Sequence, residues 1–256
     1  MRRTWMAAGL VLTIACGGGE GAGGGESAGG ETPDAGAQAS AAPLGTGTIS
    51  GVVMFEGTPP ANPAIDMSEE PTCAARYGGQ PTDPVVMVTG GKLANVFVRV
   101  TGGLPAGPYP APAGKPTIDQ AGCLYHPRVV GVVAGQSLEI INSDSLLHNI
   151  KAVPTANRGF NVSQPRAGMM REHTFTEPEI MVPVECSVHG WMKAYVGVVA
   201  HPYFATSAED GTFTIGGLPP GTYQLEAWHE SLGTRTAEVT IGADGAGTAT
   251  FTFGTM

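Results

Sequence analysis

Short runs in which apolar and polar residues alternate follow one another along most of the chain. The runs are rich in β-branched residues and are separated by Gly, Pro, Asp and Asn, which is typical of strands and turns. The strand-like runs are GTISGVVMFEG, KLANVFVRV, PRVVGVVAGQ, SLEIINSD, HNIKAV, REHTFTE, IMVPVEC, KAYVGVVA, GTFTIGG, YQLEAWH, TAEVTIG and TATFTF. Because no convincing amphipathic helix interrupts them, the sequence predicts an all-β protein built as a sandwich or barrel.

One stretch near the C-terminus predicts a β-hairpin. Asp210-Gly211 supplies a turn before the strand-like residues 212–215, and the sequence LPPG at 218–221 supplies the next turn before Tyr223. Gly, Pro and Asp at these places are typical turn residues. We therefore expect the runs on either side of LPPG to pair with each other.

The first 45 residues differ from the rest in composition. Residues 1–15 contain two arginines and an apolar run too short to span a membrane, which indicates an export signal. Residues 16–45 consist mainly of Gly, Ala, Glu and Ser and predict a flexible tether. The sequence TIAC resembles the lipobox of bacterial lipoproteins, which implies that Cys16 becomes an acylated first residue. The alternative is an ordinary signal peptide that is cleaved nearby.

Charge excludes two classes of partner. The chain has 13 Lys and Arg against 22 Asp and Glu, and loss of Arg2 and Arg3 with the signal takes the net charge from −9 to −11. An acidic protein without a basic run is a poor ligand for nucleic acid or for anionic lipid headgroups. We expect contact with the membrane through the lipid anchor, on the periplasmic or cell-surface side of a bacterial membrane.

Three soft donor groups lie within seven residues at the end of a strand-like run. The segment CSVHGWM, residues 186–192, has the pattern C-x2-H-x2-M, and about forty residues earlier an N-x-D-x-x-x-H-N pattern begins at Asn142. Together the two patterns resemble the cupredoxins of the amicyanin and plastocyanin type, which are Greek-key β-sandwiches that hold one copper ion. The resemblance covers residues 115–201 and implies one type 1 copper. The implied ligands are His148, Cys186, His189 and Met192.

The chemistry of the donor set agrees with this resemblance. Two imidazoles and a thiolate with a weak thioether accommodate both Cu(I) and Cu(II), whereas a thioether is a poor ligand for zinc. A two-copper centre is disfavoured because the loop has no second cysteine. A site closed by four protein ligands leaves no position for a substrate, so the sequence does not predict an enzyme.

The resemblance also assigns roles to residues around the ligands. Asn149 corresponds to the family asparagine that ties the first ligand strand to the residue after the cysteine, here Ser187. An apolar rim for electron exit is expected at Leu146, Leu147 and Trp191, with one edge of His189 meeting solvent through it. Met169 and Met170 are expected in a loop near the same end, as ordinary apolar residues or as extra Cu(I) contacts.

Cys73 and Cys123 remain after the lipid anchor and the copper ligand are assigned. In an oxidising compartment we expect the two to form a disulfide. The alternative is a second metal site made of Cys73, Cys123 and His126, because C-x2-H recurs at 123–126.

A second resemblance concerns the parts of the chain on either side of this segment. DGxFxIxxLPPGxYxL at 210–225, GTISGVV at 47–53 and LANVFVRV at 93–100 are similar to the carboxypeptidase regulatory-like, transthyretin-type β-sandwich. This implies a split sandwich made of residues 46–105 and 203–254, with the copper domain inserted. Such modules act as spacers or binding platforms.

Three functions from different classes follow from these observations. The favoured one is a lipid-anchored copper protein that passes single electrons between redox partners such as a cytochrome or a membrane oxidoreductase. The second is copper storage or delivery, with exchangeable metal. The third is a non-redox module that binds a protein or glycan on a cupredoxin scaffold.

Overall fold

A computed structural model describes residues 44–255, so the predicted export signal, Cys16 and most of the predicted tether lie outside the described residues. Within this range the chain forms strands joined by turns, and none of its helices is both long and apolar enough to cross a bilayer. The elements are β1 (Gly47–Glu56), α1 (Pro71–Ala74), β2 (Val88–Thr89), β3 (Lys92–Leu93), β4 (Phe97–Gly102), β5 (Thr117–Ala121), β6 (Leu124–His126), β7 (Val129–Val133), β8 (Ser137–Asn142), β9 (His148–Ala152), β10 (Phe160–Gln164), β11 (Met169–Thr174), β12 (Glu179–Glu185), β13 (Lys193–Val199), β14 (Phe204–Thr206), β15 (Thr212–Leu218), β16 (Gly221–His229), β17 (Gly233–Ile241) and β18 (Ala246–Gly254).

The prediction of an all-β protein is confirmed. α1 has four residues, and Pro71 lies in its first turn, where a residue without an N–H costs no hydrogen bond. The strands form four sheets. Buried and exposed residues alternate along strands such as β15 and β18, whereas runs of consecutive buried residues occur in β7 and β13.

The strands before β5 and after β13 form two of the sheets, which we call the terminal sandwich. One sheet has the order β15-β1-β3-β2, with β18 parallel to β1, and the other has the order β14-β4-β16-β17. The two sheets share one core, in which Ile49, Val98 and Leu225 are fully buried. The strands β1 to β4 are therefore packed together with the strands β14 to β18.

The prediction of a hairpin around LPPG is wrong. β15 pairs with β1, whereas β16 pairs with β4 and β17, so the turn at Pro219-Pro220 carries the chain from one sheet to the other. Tyr223 Oη donates a hydrogen bond to Pro219 O (2.6 Å) and holds this corner. Two adjacent prolines cannot donate backbone hydrogen bonds, which suits a corner that belongs to neither sheet.

The strands β5 to β13 form the other two sheets, which we call the central sandwich. Their orders are β10-β9-β12-β13-β7 and β11-β8-β5-β6, with β13 parallel to β7 and β5 parallel to β8. β9 is antiparallel to β12, and Lys151 pairs with Glu185. The start of β9 and the end of β12 are thus at the same end of the sheet, where His148 and Cys186 lie.

Met169 and Met170 are in a strand, which corrects the expectation of a loop. They begin β11 and pair with Asn142 and Ile141 of β8. Met170 is largely exposed. The two methionines therefore extend the sheet beside the segment that leads to His148.

Candidate metal centre

Asn142 ends β8 and holds the loop that leads to the first histidine. Its side-chain amide donates to Leu146 O (3.0 Å) and Gln164 O (2.7 Å), and its Oδ1 accepts from the Asp144 amide (2.9 Å). Asn142 is fully buried, so these bonds are shielded from water. The loop between Asn142 and His148 is consequently fixed at both ends.

His148 begins β9 and is fully buried. Its Nε2 lies 2.9 Å from Asp144 Oδ2, and its Nδ1 lies 2.9 Å from Nδ1 of His189. Asp144 also accepts hydrogen bonds from the amides of Gly122 (3.0 Å) and Cys123 (2.8 Å). Asp144 therefore orients the His148 ring so that Nδ1 faces the second loop.

The second loop runs from Cys186 to Met192 between β12 and β13. The Met192 amide donates to His189 O (2.9 Å), and the Cys186 amide donates to Met192 O (3.3 Å). The His189 amide donates to Cys186 Sγ (3.3 Å), and Sγ lies 3.8 Å from His189 Nδ1. These bonds fold the loop so that Cys186 and His189 bring their ligand atoms together and Met192 lies beside Cys186 in the backbone.

Asn149 connects the two loops. The Ser187 amide donates to Asn149 Oδ1, and Asn149 Nδ2 donates to Ser187 Oγ at 3.2 Å. Asn149 Nδ2 also donates to Asn161 Oδ1 on the neighbouring strand β10. The structure thus brings together the pair Asn149 and Ser187 named from the sequence.

Electrostatics at the centre favour a thiolate at Cys186. Burial raises the pKa of Cys186, but hydrogen bonds from His148 and from nearby backbone amides outweigh burial and lower the pKa below its usual value. Burial lowers the pKa of His148, but Cys186 and Asp144 outweigh burial and raise it. Burial and the neighbouring His148 lower the pKa of His189. Because the thiolate is the form that binds metals, the centre is prepared for a soft metal ion.

The donor set fits copper. Ligand atoms of His148, Cys186 and His189 all lie within 4.8 Å of one another, and the three residues are buried. Met192 is fully buried in the same apolar cluster as Cys186. Two imidazole nitrogens and a thiolate in an apolar surrounding, with a thioether in the same cluster, suit the ligand preferences of copper.

The predicted second metal site does not form. Cys73 and Cys123 make a disulfide with an S–S distance of 2.02 Å, so neither sulfur is a free thiolate. Cys123, Asp144 and His148 also have ligand atoms within 4.8 Å of one another, but the Cys123 sulfur is used in that bond. The disulfide is therefore the correct alternative of the two expected from sequence.

The expectation of a solvent-exposed edge at His189 is wrong. His189 is 2% exposed, and of the predicted rim only Leu147 is largely exposed, at 42%. Leu146 and Trp191 pack against an apolar cluster that includes the disulfide, and Trp191 Nε1 donates to Cys123 O (3.0 Å). Leu146 and Trp191 are partly covered because the segment before β2, which shows no strand pattern, folds over them.

Sequence reasoning missed the contribution of that segment. It supplies Arg76, which pairs with Asp144 at 3.0 Å, and Glu70, whose Oε2 lies 3.6 Å from His189 Nε2. One signal for it is present in the sequence, because a bond between Cys73 and Cys123 requires the segment to reach the central sandwich.

One cavity among the described residues is separate from the metal centre. It has a volume of about 710 Å³ and is lined by Tyr125, His126, Lys193 and Glu209, among other residues. None of the four predicted copper ligands lines it. The donor set is accordingly enclosed rather than placed at the wall of a cleft.

Comparisons with known proteins agree with a β-sandwich architecture. Residues 193–254 match the carboxypeptidase regulatory-like domain family. Among solved structures, one similar to this chain is a copper-containing nitrite reductase from Thermus scotoductus, with 20% sequence identity over 46% of this chain and 27% of that chain and a TM-score of 0.31. Another is a purple cupredoxin from Nitrosopumilus maritimus, with 26% identity over 33% of this chain and 99% of that chain and a TM-score of 0.28. A third is a Cu(I) form of an amicyanin mutant, with 22% identity over 34% of this chain and 84% of that chain and a TM-score of 0.30. The chain therefore spans about a quarter of the length of the nitrite reductase. No curated protein sequence matches the chain.

Proposed function

We propose that the chain is an exported type 1 copper protein that carries single electrons between redox partners. The observation that carries this proposal is the convergence of His148 Nδ1, His189 Nδ1 and Cys186 Sγ in a buried pocket. Among common protein-bound metals, a set with one thiolate, two imidazoles and a nearby thioether favours copper.

In this proposal each residue has a defined task. His148 and His189 hold the metal through Nδ1, Cys186 holds it through Sγ, and Met192 is the weak fourth ligand. Copper, when bound, supplies reversible one-electron chemistry. The hydrogen bond that Asp144 accepts from His148 Nε2 keeps that ligand in one orientation, and burial of the ligand residues excludes water.

The proposal includes the location and the arrangement of the chain. Residues 1–15 direct export, and acylated Cys16 with the tether up to residue 45 holds the protein on the periplasmic or cell-surface side of a bacterial membrane. Residues 115–201 form the copper domain, and residues 46–105 with 203–254 form its support. The partner is a redox protein such as a cytochrome or a membrane oxidoreductase, and the chain itself is not an enzyme.

Visible absorption of the copper-loaded protein tests the metal assignment. We expect one copper per chain and an intense blue or green colour in the oxidised form, because a thiolate donates charge to Cu(II). Cys186→Ser should remove the colour while the apo-protein keeps its circular dichroism spectrum. Val188→Ala, in the same loop at an exposed position, is the matched control and should keep the colour. A colourless wild type that binds zinc more tightly than copper would overturn the assignment.

Copper storage or delivery is the second candidate, and the burial of His189 favours it. A ring edge that is only 2% exposed gives a partner poor access to the copper ligand. Electron self-exchange distinguishes the two functions, measured by NMR line broadening in mixtures of oxidised and reduced protein. Fast exchange supports the carrier, whereas absent exchange with ready loss of copper to a chelator supports storage or delivery.

A further inference from the structure

A segment between β1 and β2 covers the side of the metal centre where the sequence predicts an exit to solvent. This cap, residues 63–77, contains α1 and is joined to the turn between β5 and β6 by the bond between Cys73 and Cys123. Ile65 of the cap is buried in the apolar cluster that includes Trp191 of the ligand loop. The cap therefore packs directly on the loop that carries three of the proposed ligands.

Two further contacts hold the C-terminal part of the cap on the same turn. Tyr77 Oη donates a hydrogen bond to Gly122 O at 2.6 Å. Arg76 forms an ion pair with Asp144 at 3.0 Å, and Asp144 also accepts a hydrogen bond from the Gly122 amide. A covalent bond, a hydrogen bond and an ion pair to a buried carboxylate thus fix the cap against the central sandwich.

Glu70, which directly precedes α1, is the cap residue that approaches His189. Its Oε2 lies 3.6 Å from His189 Nε2, and its side chain is 32% exposed whereas that of His189 is 2% exposed. Within the described part of the chain, this buried nitrogen has no hydrogen-bond partner. A carboxylate therefore stands just beyond hydrogen-bond distance of a buried ring nitrogen that lacks an acceptor.

The ring nitrogen of His189 that carries the hydrogen decides whether Nε2 needs a hydrogen-bond acceptor or a donor. His189 Nδ1 faces His148 Nδ1 at 2.9 Å and Cys186 Sγ at 3.8 Å, so Nδ1 is the ligand atom. A histidine that holds a metal through Nδ1 keeps its hydrogen on Nε2, and metal-bound histidines almost always donate that hydrogen to a carboxylate, a carbonyl or water. Burial of His189 leaves Glu70 as the acidic group placed to accept it.

We propose that Glu70 accepts the Nε2–H hydrogen bond of His189, as a positioning residue that orients the ring and closes its edge. The proposal rests on the copper function proposed above. His148 shows the same arrangement, because its Nε2 lies 2.9 Å from Asp144 Oδ2. Each imidazole of the centre is then supported by one carboxylate, from the central sandwich for His148 and from the cap for His189.

This arrangement has a consequence for the metal. A negative charge close to the centre stabilises Cu(II) more than Cu(I), because the attraction grows with the charge of the ion. Loss of the Glu70 charge should therefore raise the reduction potential. Glu69 provides a matched control, since it carries the same charge on the adjacent residue but is exposed, so water and salt screen it.

The test compares Glu70→Gln with Glu69→Gln in the full exported protein. Affinities for Cu(II) and Cu(I) are measured by competition with chelators, and the midpoint potential is measured separately. Glu70→Gln should lower the ratio of Cu(II) to Cu(I) affinity about tenfold, which corresponds to a rise of about 59 mV for one electron. Glu70→Asp should recover part of the change, and Glu69→Gln should leave both quantities close to wild type. Equal effects of the two glutamine variants would overturn the proposal.

A measurement on the zinc-loaded protein keeps the test independent of copper, because a metal held through Nδ1 of His189 leaves the ring hydrogen on Nε2. Nitrogen-15 NMR of the ring should show a hydrogen on His189 Nε2 that exchanges slowly with water in wild type and in Glu69→Gln, and at least tenfold faster in Glu70→Gln. Equal exchange in all three proteins contradicts the role of Glu70. If the wild type binds zinc but no copper, the proposed function fails, and the zinc measurement alone decides the role of Glu70. A wild type that binds neither metal at this site overturns both proposals.

Discussion

Asn149 shows how one side chain fixes the relation between the two ligand loops. It is buried next to His148, and its amide group accepts from the Ser187 amide and donates to Ser187 Oγ. Because Ser187 follows Cys186 directly, Asn149 sets the distance between the first histidine and the cysteine. Residues in this position beside a metal site orient the ligands without touching the metal.

Asn149→Ala should weaken copper binding while leaving the four ligands in place. The Ser187 amide loses its acceptor, so the ligand loop becomes less well ordered, and we expect the copper affinity to fall about 10- to 100-fold. Chelator competition measures the change. Asn161→Ala is the control, because it removes the Asn149–Asn161 contact and keeps the bonds to Ser187. Equal losses in the two variants would show that Asn149 does not act through Ser187.

At the residue scale, the sequence indicates that His148, Cys186 and His189 come together, as they do in the structure, but it does not indicate what surrounds them. Cys186, His189 and Met192 are recognisable because their types and spacing are local, whereas the partners of the histidines are not. Glu70 is more than a hundred residues from His189 in the sequence, and only the folded structure places it at 3.6 Å from the ring. Burial of His189 was equally unpredictable, since it depends on a segment that lacks any periodic pattern.

At the element scale, strand existence is predictable from alternation, but the choice of partner strand is not. The turn residues at 218–221 suit a hairpin and a corner between sheets equally well, and β15 and β16 lie in different sheets. The sheet that each strand joins is decided by the apolar face that the strand must bury. Phe213 and Leu225 both join the terminal core from opposite sheets, an arrangement that a hairpin within one sheet does not provide.

Glu179 connects two elements at the end of the sheet opposite the metal centre. It begins β12, the strand that leads to Cys186, and its carboxylate accepts hydrogen bonds from the 155–157 loop that follows β9. The donors are the amides of Thr155, Ala156 and Asn157 and the side chains of Thr155 and Asn157. Burial opposes the charge, but these bonds outweigh burial and lower the pKa of Glu179 from its ordinary value of 4.5 to about 2.

The stability that Glu179 contributes should therefore depend on pH. Because the folded pKa is about 2 and the ordinary value is 4.5, the contribution is fully present above pH 4.5 and is lost as the pH falls through 2. Glu179→Gln should lower the free energy of unfolding at pH 7 by about 1 kcal/mol, a value reduced by solvent screening. Urea unfolding of the apo-protein at pH 7, 4.5 and 2.5 measures this. A variant as acid-sensitive as the wild type between pH 4.5 and 2.5 would contradict the assignment.

At the scale of the whole molecule, a fourth apolar cluster joins the two sandwiches. Phe97 of the terminal sandwich packs with Val129 and Val199 of the central sandwich, and all three are buried. Beside it, Arg128 pairs with Asp83 through Nη1 and with Glu230 through Nε and Nη2. The guanidinium therefore ties the central sandwich to the segment before β2 and to the loop after β16.

Arg128→Met should destabilise the whole molecule because it leaves two buried carboxylates without a counter-charge. The side chains of Asp83 and Glu230 are 13% and 8% exposed, so water replaces the guanidinium poorly. We expect the free energy of unfolding, measured by urea unfolding of the apo-protein at pH 7, to fall by about 3–5 kcal/mol.

Arg128→Lys should recover little of this loss, because an ammonium group cannot pair with two carboxylates through a planar fork. A triple variant with Arg128→Met, Asp83→Asn and Glu230→Gln should recover most of the loss, since no buried charge remains unpaired. A loss below about 1 kcal/mol in Arg128→Met, far under what breaking a buried pair costs, would show that the apolar cluster around Phe97 holds the sandwiches together without the ion pairs.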